Sequence, residues 1–477
     1  MMIWSISWKN VWRNKVRSLV VIIAFTLGIF GGVYMVAFFY GMMESRIKLA
    51  IGNESSHIQV HNPLYLENNE LKYTIDNTPD FISKIENLPE VKAVSARVKV
   101  LGMASTSGNA SGVMINGIDV ERERQVTGIA ESLVRNGGSF FEEDGRKPVV
   151  IGEKLARTLK LTYYEILPED MERLAERKKY KSTAATLDPL LGETFRTEAD
   201  FDLALEAIFG EKEAGRIAFR VKQEAIKYRL NRKVVLSFQS LDGNIAYDAF
   251  RVVGIYNTGN SSFDGMNLFV CNTDISPVAN LKPDQVNQIA ILLNSVEDDN
   301  KVAAQVMEIM PGTDVQTWDE IMPEAAMYSE AMNYYLLIFL VIILLALGFG
   351  IVNTMLMAVL ERVKELGMLM AVGMNRKRVF WMIMLETVFL GLTGAIIGMV
   401  LCYLLIWYTG ITGVDLSSLY KEGLEAFGFS AKVYPIIGWE SFFQIMFMVI
   451  LTGVIAAIYP ARKALKLNPA EALRVDM

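Results

Sequence analysis

Four long apolar stretches constrain this chain more than any other feature of its sequence. Ser18–Met43, Tyr334–Leu360 and Ser441–Ala461 contain no charged residue, and Val379–Val414 contains only Glu386. Each stretch reaches the roughly 20 residues that a helix needs to cross about 30 Å of hydrocarbon. The sequence therefore predicts four transmembrane helices, because four such stretches are difficult to bury in a soluble fold.

These stretches place one membrane span near the start and three near the end, around a polar block of almost three hundred residues. The predicted segments are a lead-in at 1–17, spans at 18–43, 334–360, 379–408 and 439–461, an extracytoplasmic α/β domain at 44–333, a loop at 361–378, an extracytoplasmic loop at 409–438 and a tail at 462–477.

Basic residues beside the spans predict the orientation of the chain. Lys and Arg cluster before the first span, between the second and third, and after the fourth, whereas the segment between the third and fourth spans has only Lys421 and Lys432. By the positive-inside rule, both termini and the 361–378 loop are expected in the cytoplasm. Trp4, Trp8 and Trp12 are spaced four apart, which is typical of an amphipathic helix at the membrane surface.

Composition excludes several classes of function. The net charge of -6 gives no indication of nucleic-acid binding. The sequence has no P-loop, so we expect this chain to have no ATPase site of its own and no enzymatic activity, and it lacks the common hydrolase and zinc motifs. The apolar core of a cleaved signal peptide is much shorter than the first span, which we therefore expect to remain as an anchor.

The polar block has the pattern of a mixed α/β domain. Alternating apolar residues predict strands, and Asp242-Gly243 predicts the turn of a hairpin between two of them. The predicted strands are Ser56–His61, Val94–Met103, Gly112–Ile118, Lys147–Ile151, Val234–Phe238, Phe250–Tyr256 and Ile289–Leu293, and helices are predicted at Glu153–Leu159 and Asn300–Met310.

Residues 163–232 have the composition of an insertion into this domain. From Pro168 onwards both signs of charge are interleaved with apolar residues at helical spacing, which predicts two or three amphipathic helices. The apolar positions expected on their inner faces are Phe201, Leu205, Ile208 and Phe209 in one helix, and Ile217, Val221 and Ile226 in another. The charged face is either solvated or docks a partner.

The sequence offers few candidates for polar chemistry. His57 and His61 lie on one side of a predicted strand, but no third ligand is evident, so we predict no metal site and an exposed polar face. Glu386 is the one ionisable residue deep in a span. It is either a functional carboxylate or a packing residue paired with a basic neighbour such as Arg378.

The 361–378 loop carries the sharpest local signal. Leu366, Leu369 and Met370 give a short predicted helix an apolar face, and Gly373 with Asn375 permits a reversal before the third span. A short amphipathic helix of this kind fits the groove of a partner protein.

This loop resembles the coupling helix of ABC transporter permeases of the FtsX/MacB superfamily, also called type VII. The segments Trp8–Lys15, Tyr459–Ala464 and Asn468–Arg474 resemble the same family. In the polar block, further segments look closest to the lipoprotein-releasing, LolC/LolE-like permeases. These are His57–His61, Gly152–Ala156, Val253–Gly259 and Thr317–Glu320. The insertion departs from that family.

The resemblance implies a bacterial inner-membrane permease with a MacB-like periplasmic core domain. It implies mechanotransmission driven by a separate cytoplasmic ATPase dimer, which would bind ATP and Mg, and a second permease subunit, either a copy or a paralogue. The expected cargo is a lipoprotein extracted towards the outer membrane, passed to a periplasmic carrier. The alternatives are a MacB-like exporter of peptides, toxins or drugs with an adaptor, and an FtsX-like regulator of a cell-wall hydrolase.

The same resemblance assigns candidate site residues. The expected ATPase-coupling residues are Glu361, Arg362, Lys364, Glu365, Leu366, Gly367, Met370, Gly373 and Met374. Apolar and adaptable side chains near the outer ends of the first two spans are candidates for contact with lipid or cargo, or for ordinary lipid-facing and dimer packing. They are Met35, Phe38, Phe39, Met42, Met43, Tyr334, Tyr335 and Ile338. Gly28, Gly31 and Gly32 are expected to permit close helix approach.

Overall fold

The computed structural model describes residues 4, 7–8, 12–13, 15–76, 78–141, 147–176 and 180–465. The closing motif at 468–474 and parts of the lead-in motif lie outside the described residues. The chain divides into two compact units. We call residues 45–326 with 415–431 the large domain, and residues 1–44, 327–414 and 432–477 the helical unit.

Among the described residues, four helices are long and apolar enough to cross a membrane. The span helices are Lys15–Leu49, Pro323–Glu361, Arg376–Thr412 and Trp439–Leu465. The first continues as a π-helix over Ala50–Ser55. The third is capped at its start by Asn375, whose side chain accepts from the N–H of Lys377, and at its end by Gly413, which has a φ of +72°. We call Val363–Ala371, between the second and third span helices, the connecting helix.

Small residues on the third and fourth span helices determine how the helical unit packs. Phe25 of the first span helix is buried against Gly391, Gly394 and Gly453. A Cβ at Gly394 would stand 2.7 Å from the Cβ of Phe25, so only glycine fits there without a shift. The packing glycines are thus mainly on the third span helix, where the close approach of two backbones requires them.

The sequence-based choice of Gly28, Gly31 and Gly32 is only partly right. A Cβ at Gly28 would meet Leu347 at 2.9 Å, whereas at Gly32 the nearest atoms are at ordinary contact distance. Among the described residues, nothing lies within 4 Å of a Cβ at Gly31. Spacing in the sequence could not show which glycine faces a neighbouring helix, because that depends on tertiary packing.

The crowded site at Gly394 and the open site at Gly31 give a matched pair of substitutions. We expect Gly394→Ala to lower the stability of the helical unit by about 1–3 kcal/mol, because the added methyl group overpacks the contact with Phe25. Gly31→Ala adds the same group in open space and should be neutral or slightly stabilising. Thermal melting of the purified protein in detergent measures both, and equal melting temperatures for the two variants would contradict this packing.

The large domain is built on a sheet of ten described strands. Its strands are β1 (Ile58–His61), β2 (Val91–Ser105), β3 (Ala110–Ile118), β4 (Leu133–Gly138), β5 (Pro148–Gly152), β9 (Lys233–Gln239), β10 (Ile245–Tyr256), β11 (Asn267–Cys271), β12 (Gln288–Leu293) and β13 (Asp314–Thr317), while β6 (Thr162–Glu165), β7 (Thr194–Phe195) and β8 (Ile226–Tyr228) form a second sheet. The order β13-β1-β12-β2-β3-β11-β5-β10-β4 is joined by β9, which pairs with both β10 and β2. The sheet therefore contains a closed ring of six strands, in which each strand pairs with the next in the order β2, β3, β11, β5, β10 and β9, and β9 pairs again with β2.

Helices cover this sheet, and short strands occur elsewhere in the chain. The helices of the large domain are Tyr65–Asn68, Thr78–Glu86, Val120–Val126, Glu153–Thr158, Pro168–Glu176, Lys181–Thr186, Glu198–Phe209, Glu211–Ala225, Ser261–Met266, Asn272–Ile275, Asp299–Ile309, Trp318–Ile321 and Ser417–Ala426. Two-residue strands lie at Val414–Asp415 and Lys432–Val433. All the predicted strands and both predicted helices of the polar block are present, and the predicted hairpin is β9 with β10.

The prediction of an exposed polar face at His57 and His61 is wrong. Strand β1 lies between β12 and β13, and all four of its residues are buried. The ring of His61 stacks on Tyr65, its Nδ1 donates to the carbonyl of Asn287 at 3.2 Å, and its Nε2 lies 3.0 Å from the Gln59 carboxamide. Burial lowers the pKa of His61 to about 3, so the ring is neutral in the folded domain.

The insertion is more elaborate than the two or three helices predicted for it. Its described part contains four α-helices, the short 3-10 helix Asp188–Leu190 and the small sheet β7-β6-β8. Ile226 lies in β8 rather than on a helix face. Phe201, Leu205 and Val221 are buried in the same hydrophobic core as the main sheet. The insertion is therefore packed into the large domain, because its apolar faces extend that core.

Asp264 gives the large domain a pH-dependent stability. Its buried carboxylate accepts hydrogen bonds from the N–H and the hydroxyl of Thr258, at 3.1 and 2.7 Å. Burial, with smaller effects of Glu153 and Glu425, raises the pKa of Asp264 to about 7. The folded state therefore binds a proton at a higher pH than the unfolded chain, so this group adds stability as the pH falls from about 7 to about 4.

We expect Asp264→Asn to unfold with a higher free energy than the parent protein at pH 8. This advantage should shrink by about 1.4 kcal/mol for each pH unit between pH 7 and 4, because the variant cannot take up the proton that stabilises the parent. Denaturant unfolding at several pH values measures it, with the exposed Asp188→Asn as the control. An advantage that is independent of pH would contradict the expectation.

Candidate functional site

The connecting helix turns its apolar face towards its own helical unit. Leu366 is 2% exposed and belongs to the core of that unit, and Leu369, Met370 and Met374 pack against the same core. Gly367 is also buried. Of the apolar residues that the sequence suggested for docking, Leu366 is thus buried in its own helical unit, and Leu369, Met370 and Met374 are half-buried against it.

The opposite face of the connecting helix and the turn after it are exposed. Val372 is 89% exposed and Met368 is 54% exposed. The other exposed positions between residues 361 and 378 are Glu361, Lys364, Ala371, Gly373, Asn375, Arg376, Lys377 and Arg378. Of the predicted coupling residues, Glu361, Lys364 and Gly373 are exposed in this chain. The exposure of Met368 and Val372 was missed because the apolar pattern alone does not say which apolar residues face inward.

Arg362 connects the start of the connecting helix to the third span helix. Its Nε lies 3.1 Å from Glu365 Oε2, and its Nη1 donates to both carboxylate oxygens of Glu386 at 3.0 and 3.1 Å. Arg13 from the lead-in also pairs with Glu365. The basic partner that the structure shows for Glu386 is thus Arg362, and the neighbour suggested by sequence, Arg378, is exposed.

The turn after the connecting helix has the predicted geometry. Gly373 has a φ of +100°, a conformation that other residues rarely adopt. Asn375 then caps the third span helix by accepting from Lys377 N–H at 3.0 Å. The connecting helix is therefore fixed at both ends, by Arg362 at its start and by this turn at its end.

The tryptophans of the lead-in contact the third span helix. The rings of Trp4 and Trp8 lie edge-on to Phe389 at 5.3 and 5.5 Å, and Trp8 also contacts Trp12. All three indoles are about half exposed or more. Such amphipathic rings suit the boundary between lipid and water.

A largely apolar groove of about 430 Å³ lies between the first, second and fourth span helices. It is lined by Val36, Tyr40, Tyr334, Leu336, Leu337, Leu340, Ser441, Gln444, Ile445 and Met448. Of the predicted contact residues, only Tyr334 lines the groove. Tyr335 and Ile338 are exposed elsewhere on the second span helix, Met43 is buried, and Met35, Phe38, Phe39 and Met42 are half-buried outside the groove.

The contribution of the fourth span helix to the groove was missed. Positions 441, 444, 445 and 448 follow the spacing of one helix face, and two of them, Ser441 and Gln444, are polar in a mostly apolar span. This pattern is the signal in the sequence that could have pointed to the groove.

The described residues include no group of three or more His, Cys, Asp or Glu side chains that could hold a metal ion. The ring nitrogen Nδ1 of His57 accepts from Leu293 N–H at 3.1 Å, so this histidine is satisfied within the fold. Cys271 and Cys402 are free thiols.

Comparisons with known proteins agree with this architecture. The sequence matches the family described as FtsX-like permease C-terminal over residues 337–469 and the MacB-like periplasmic core domain over residues 18–166. An uncharacterised ABC transporter permease of Methanocaldococcus jannaschii is 29% identical over 47% of this chain and 55% of its own length. The macrolide export ATP-binding/permease protein MacB of a Shewanella species is 24% identical over 77% of this chain and 56% of its own.

The chain spans about half the length of these curated relatives. Among solved structures, the periplasmic region of MacB from Actinobacillus actinomycetemcomitans is similar at 11% identity and a TM-score of 0.30, over 58% of this chain and 96% of that one.

The chain carries an FtsX-like permease domain and a MacB-like periplasmic core domain, and these matches support its assignment to the FtsX/MacB superfamily of ABC transporter permeases. The predicted fold class, four transmembrane helices with a large mixed α/β domain of the MacB-like type, is confirmed. The chain is thus a membrane protein with a domain of the extracytoplasmic type.

Proposed function

We propose that this chain is the permease subunit of an ATP-driven transporter whose ATPase is a separate cytoplasmic protein. The connecting helix supports this most directly, because it presents an exposed face around Val372 while Arg362 ties it to the third span helix. A helix that is anchored on one side and exposed on the other suits the groove of a partner. ATP and Mg would be held by that partner, as a dimer, against two permease subunits.

In the proposed mechanism, closure of the ATPase dimer moves the connecting helices and thereby the span helices. The first span helix runs without a break from Lys15 to Leu49, which is about 50 Å of rigid rod. It begins in the helical unit and ends within the large domain. Movement on the cytoplasmic side would therefore reach the periplasmic large domain as a rigid-body change, and cargo need not cross the bilayer.

We propose a lipoprotein of the bacterial inner membrane as the cargo. The groove beside Tyr334 supports this, because its wall is mostly apolar and includes Met448, whose flexible side chain adapts to varied acyl chains. Ser441 and Gln444 add polar groups that suit the ester and amide linkages of a lipidated cysteine. The released lipoprotein would pass to a periplasmic carrier on its way to the outer membrane.

Photo-crosslinking from inside the groove tests the cargo. A photoreactive amino acid at Leu337 in the membrane of the native host should capture acylated proteins that mass spectrometry identifies, whereas Leu345, exposed on the same helix outside the groove, should capture lipid. Failure to capture acylated protein at Leu337 counts against the lipoprotein proposal.

Export of periplasmic peptides, toxins or drugs through an adaptor is the second candidate. It is favoured by relatives that are named macrolide export proteins. The same experiment separates the candidates, since this second function predicts crosslinks from Leu337 to unacylated peptides or small molecules. An FtsX-like regulator of a cell-wall hydrolase would yield a hydrolase bound to the large domain and no cargo in the groove.

A further inference from the structure

The loop between the third and fourth span helices is part of the large domain. Residues Asp415–Ala431 belong to that unit, although they connect two membrane helices. The loop's helix Ser417–Ala426 packs against the helix Ser261–Met266, and Ser262 Oγ donates to the carbonyl of Ala426 at 3.4 Å. The sequence predicted only a loop at 409–438, without a partner.

One charged side chain supports the end of this loop. The guanidinium of Arg46 lies so close to Gly428 that a Cβ there would stand 2.7 Å from Arg46 Nε and 2.9 Å from its Cζ. Gly428 also has a φ of +73°. Glycine is therefore required at this position both by its backbone conformation and by the guanidinium beneath it.

Arg46 is held in turn by a nearly buried polar network. Its Nη1 lies 3.0 Å from Glu54 Oε1, and the two side chains are only 10% and 9% exposed. The same oxygen of Glu54 accepts from Asn260 Nδ2 at 3.0 Å. The Asn260 carboxamide caps the helix Ser261–Met266, on which the loop's helix packs. The contacts of Arg46 thus link the end of the first span helix to the loop itself at Gly428 and, through Glu54 and Asn260, to the helix on which the loop packs.

We infer that Arg46 is a positioning residue that fixes the loop Asp415–Ala431 to the end of the first span helix. The planar guanidinium pairs with Glu54 through its edge and supports Gly428 with its face. Lysine could supply only the first of these contacts, because an ammonium group has no face. The loop and the end of the first span helix then move together with the large domain.

Under the proposed function, on which this consequence rests, the large domain has a connection to the third and fourth spans besides its connections to the first two. A displacement of the first span helix would then also pull on the loop that joins the third and fourth spans. The first two spans would then be coupled to the third and fourth spans in two places, at their outer ends through this loop and on the other side through the connecting helix.

Thiol crosslinking across the docked loop tests the inference. The full-length protein in detergent carries Ser262→Cys and Ala426→Cys, with Cys271→Ser and Cys402→Ala to remove the native thiols. A short thiol-specific crosslinker should join the two positions rapidly. Arg46→Met should slow this reaction about tenfold, because it leaves the Glu54 carboxylate without its charged partner and removes the support under Gly428.

Two further variants separate positioning from general stability. Gly428→Ala should slow crosslinking by a similar factor, because its methyl group would collide with the guanidinium while both charges of the Arg46–Glu54 pair are kept. Arg46→Lys should fall between the parent and Arg46→Met, because it restores the charge without the planar face. The matched control is Lys227→Met, which breaks another buried pair of the same domain, with Asp170 at 2.7 Å, and should leave the rate unchanged.

Unchanged crosslinking in Arg46→Met and Gly428→Ala, with melting temperatures that show folded protein, would overturn the inference. Equal slowing in Lys227→Met would do the same, since it would show a general loss of stability. The reaction contains no ATPase, no ATP and no cargo. A negative crosslinking result would therefore not count against the proposed function. In the same way, evidence against the proposed function would not count against the role of Arg46.

Discussion

Replacing Glu123 with alanine should lower the free energy of unfolding of the large domain by about 3–5 kcal/mol. Glu123 is fully buried and binds Arg97 through two hydrogen bonds, at 2.7 and 3.1 Å. Its carboxylate also accepts from Ser95 and Thr127 at 2.7 and 3.2 Å. Its removal would leave the guanidinium of Arg97 charged, buried and without its carboxylate partner.

Glu121→Ala is the matched control for this substitution. It removes an exposed carboxylate from the same short helix, Val120–Val126, and should cost less than about 1 kcal/mol. Replacing both members of the buried pair, as Arg97→Met with Glu123→Leu, should recover most of the loss, since neither charge then remains buried alone. Denaturant unfolding measures all three, and a Glu123→Ala variant as stable as Glu121→Ala would contradict the expectation.

Under the proposed function, Arg362→Met should uncouple ATP hydrolysis from movement of the permease. Arg362 joins the connecting helix to Glu386 of the third span helix, so its loss frees the connecting helix to move alone. Typical coupling free energies of 1–3 kcal/mol correspond to a roughly 5- to 150-fold change. We therefore expect cargo release per ATP hydrolysed by the reconstituted complex to fall by a factor in that range.

Two further variants make this expectation specific to the ion pair. Glu386→Gln removes the same pair from the third span helix and should have a similar effect. Arg376→Met removes an exposed basic residue from the turn and should have little effect. If Arg376→Met uncouples the complex as strongly as Arg362→Met, the cause is loss of positive charge rather than loss of the pair.

Local features of this molecule could be predicted from the sequence, and features set by tertiary packing could not. The four spans follow from uninterrupted apolar runs, and the turn at Gly373 follows from the residues that form it. The inward orientation of Leu366 depends on the core of the helical unit, which the sequence of the loop does not contain. For the same reason, the glycine spacing around Gly31 gave no indication that the first and third span helices come closest together at Gly394.

The polar residues show the same division. His61 alternates with apolar neighbours as in a half-exposed strand, but β13 and β12 flank β1 and the side chain ends in a buried network. The partner of Glu386 is 24 residues away in sequence, across a turn, so the nearer Arg378 was the natural guess. Ser441 and Gln444 differ from these residues, because their spacing in the sequence already placed them on one helix face. Their part in the groove could therefore have been predicted.

Photo-crosslinking from Val372 tests the central claim most directly. A photoreactive amino acid at this exposed position, in membranes of the native host, should capture a protein with a P-loop and an ABC ATPase domain, identified by mass spectrometry. The same group at Tyr247, which is 75% exposed on the large domain, should capture no ATPase. Capture of an ABC ATPase from Val372 alone is the predicted result, and its absence at full occupancy of the photoreactive residue would contradict a permease driven through the connecting helix.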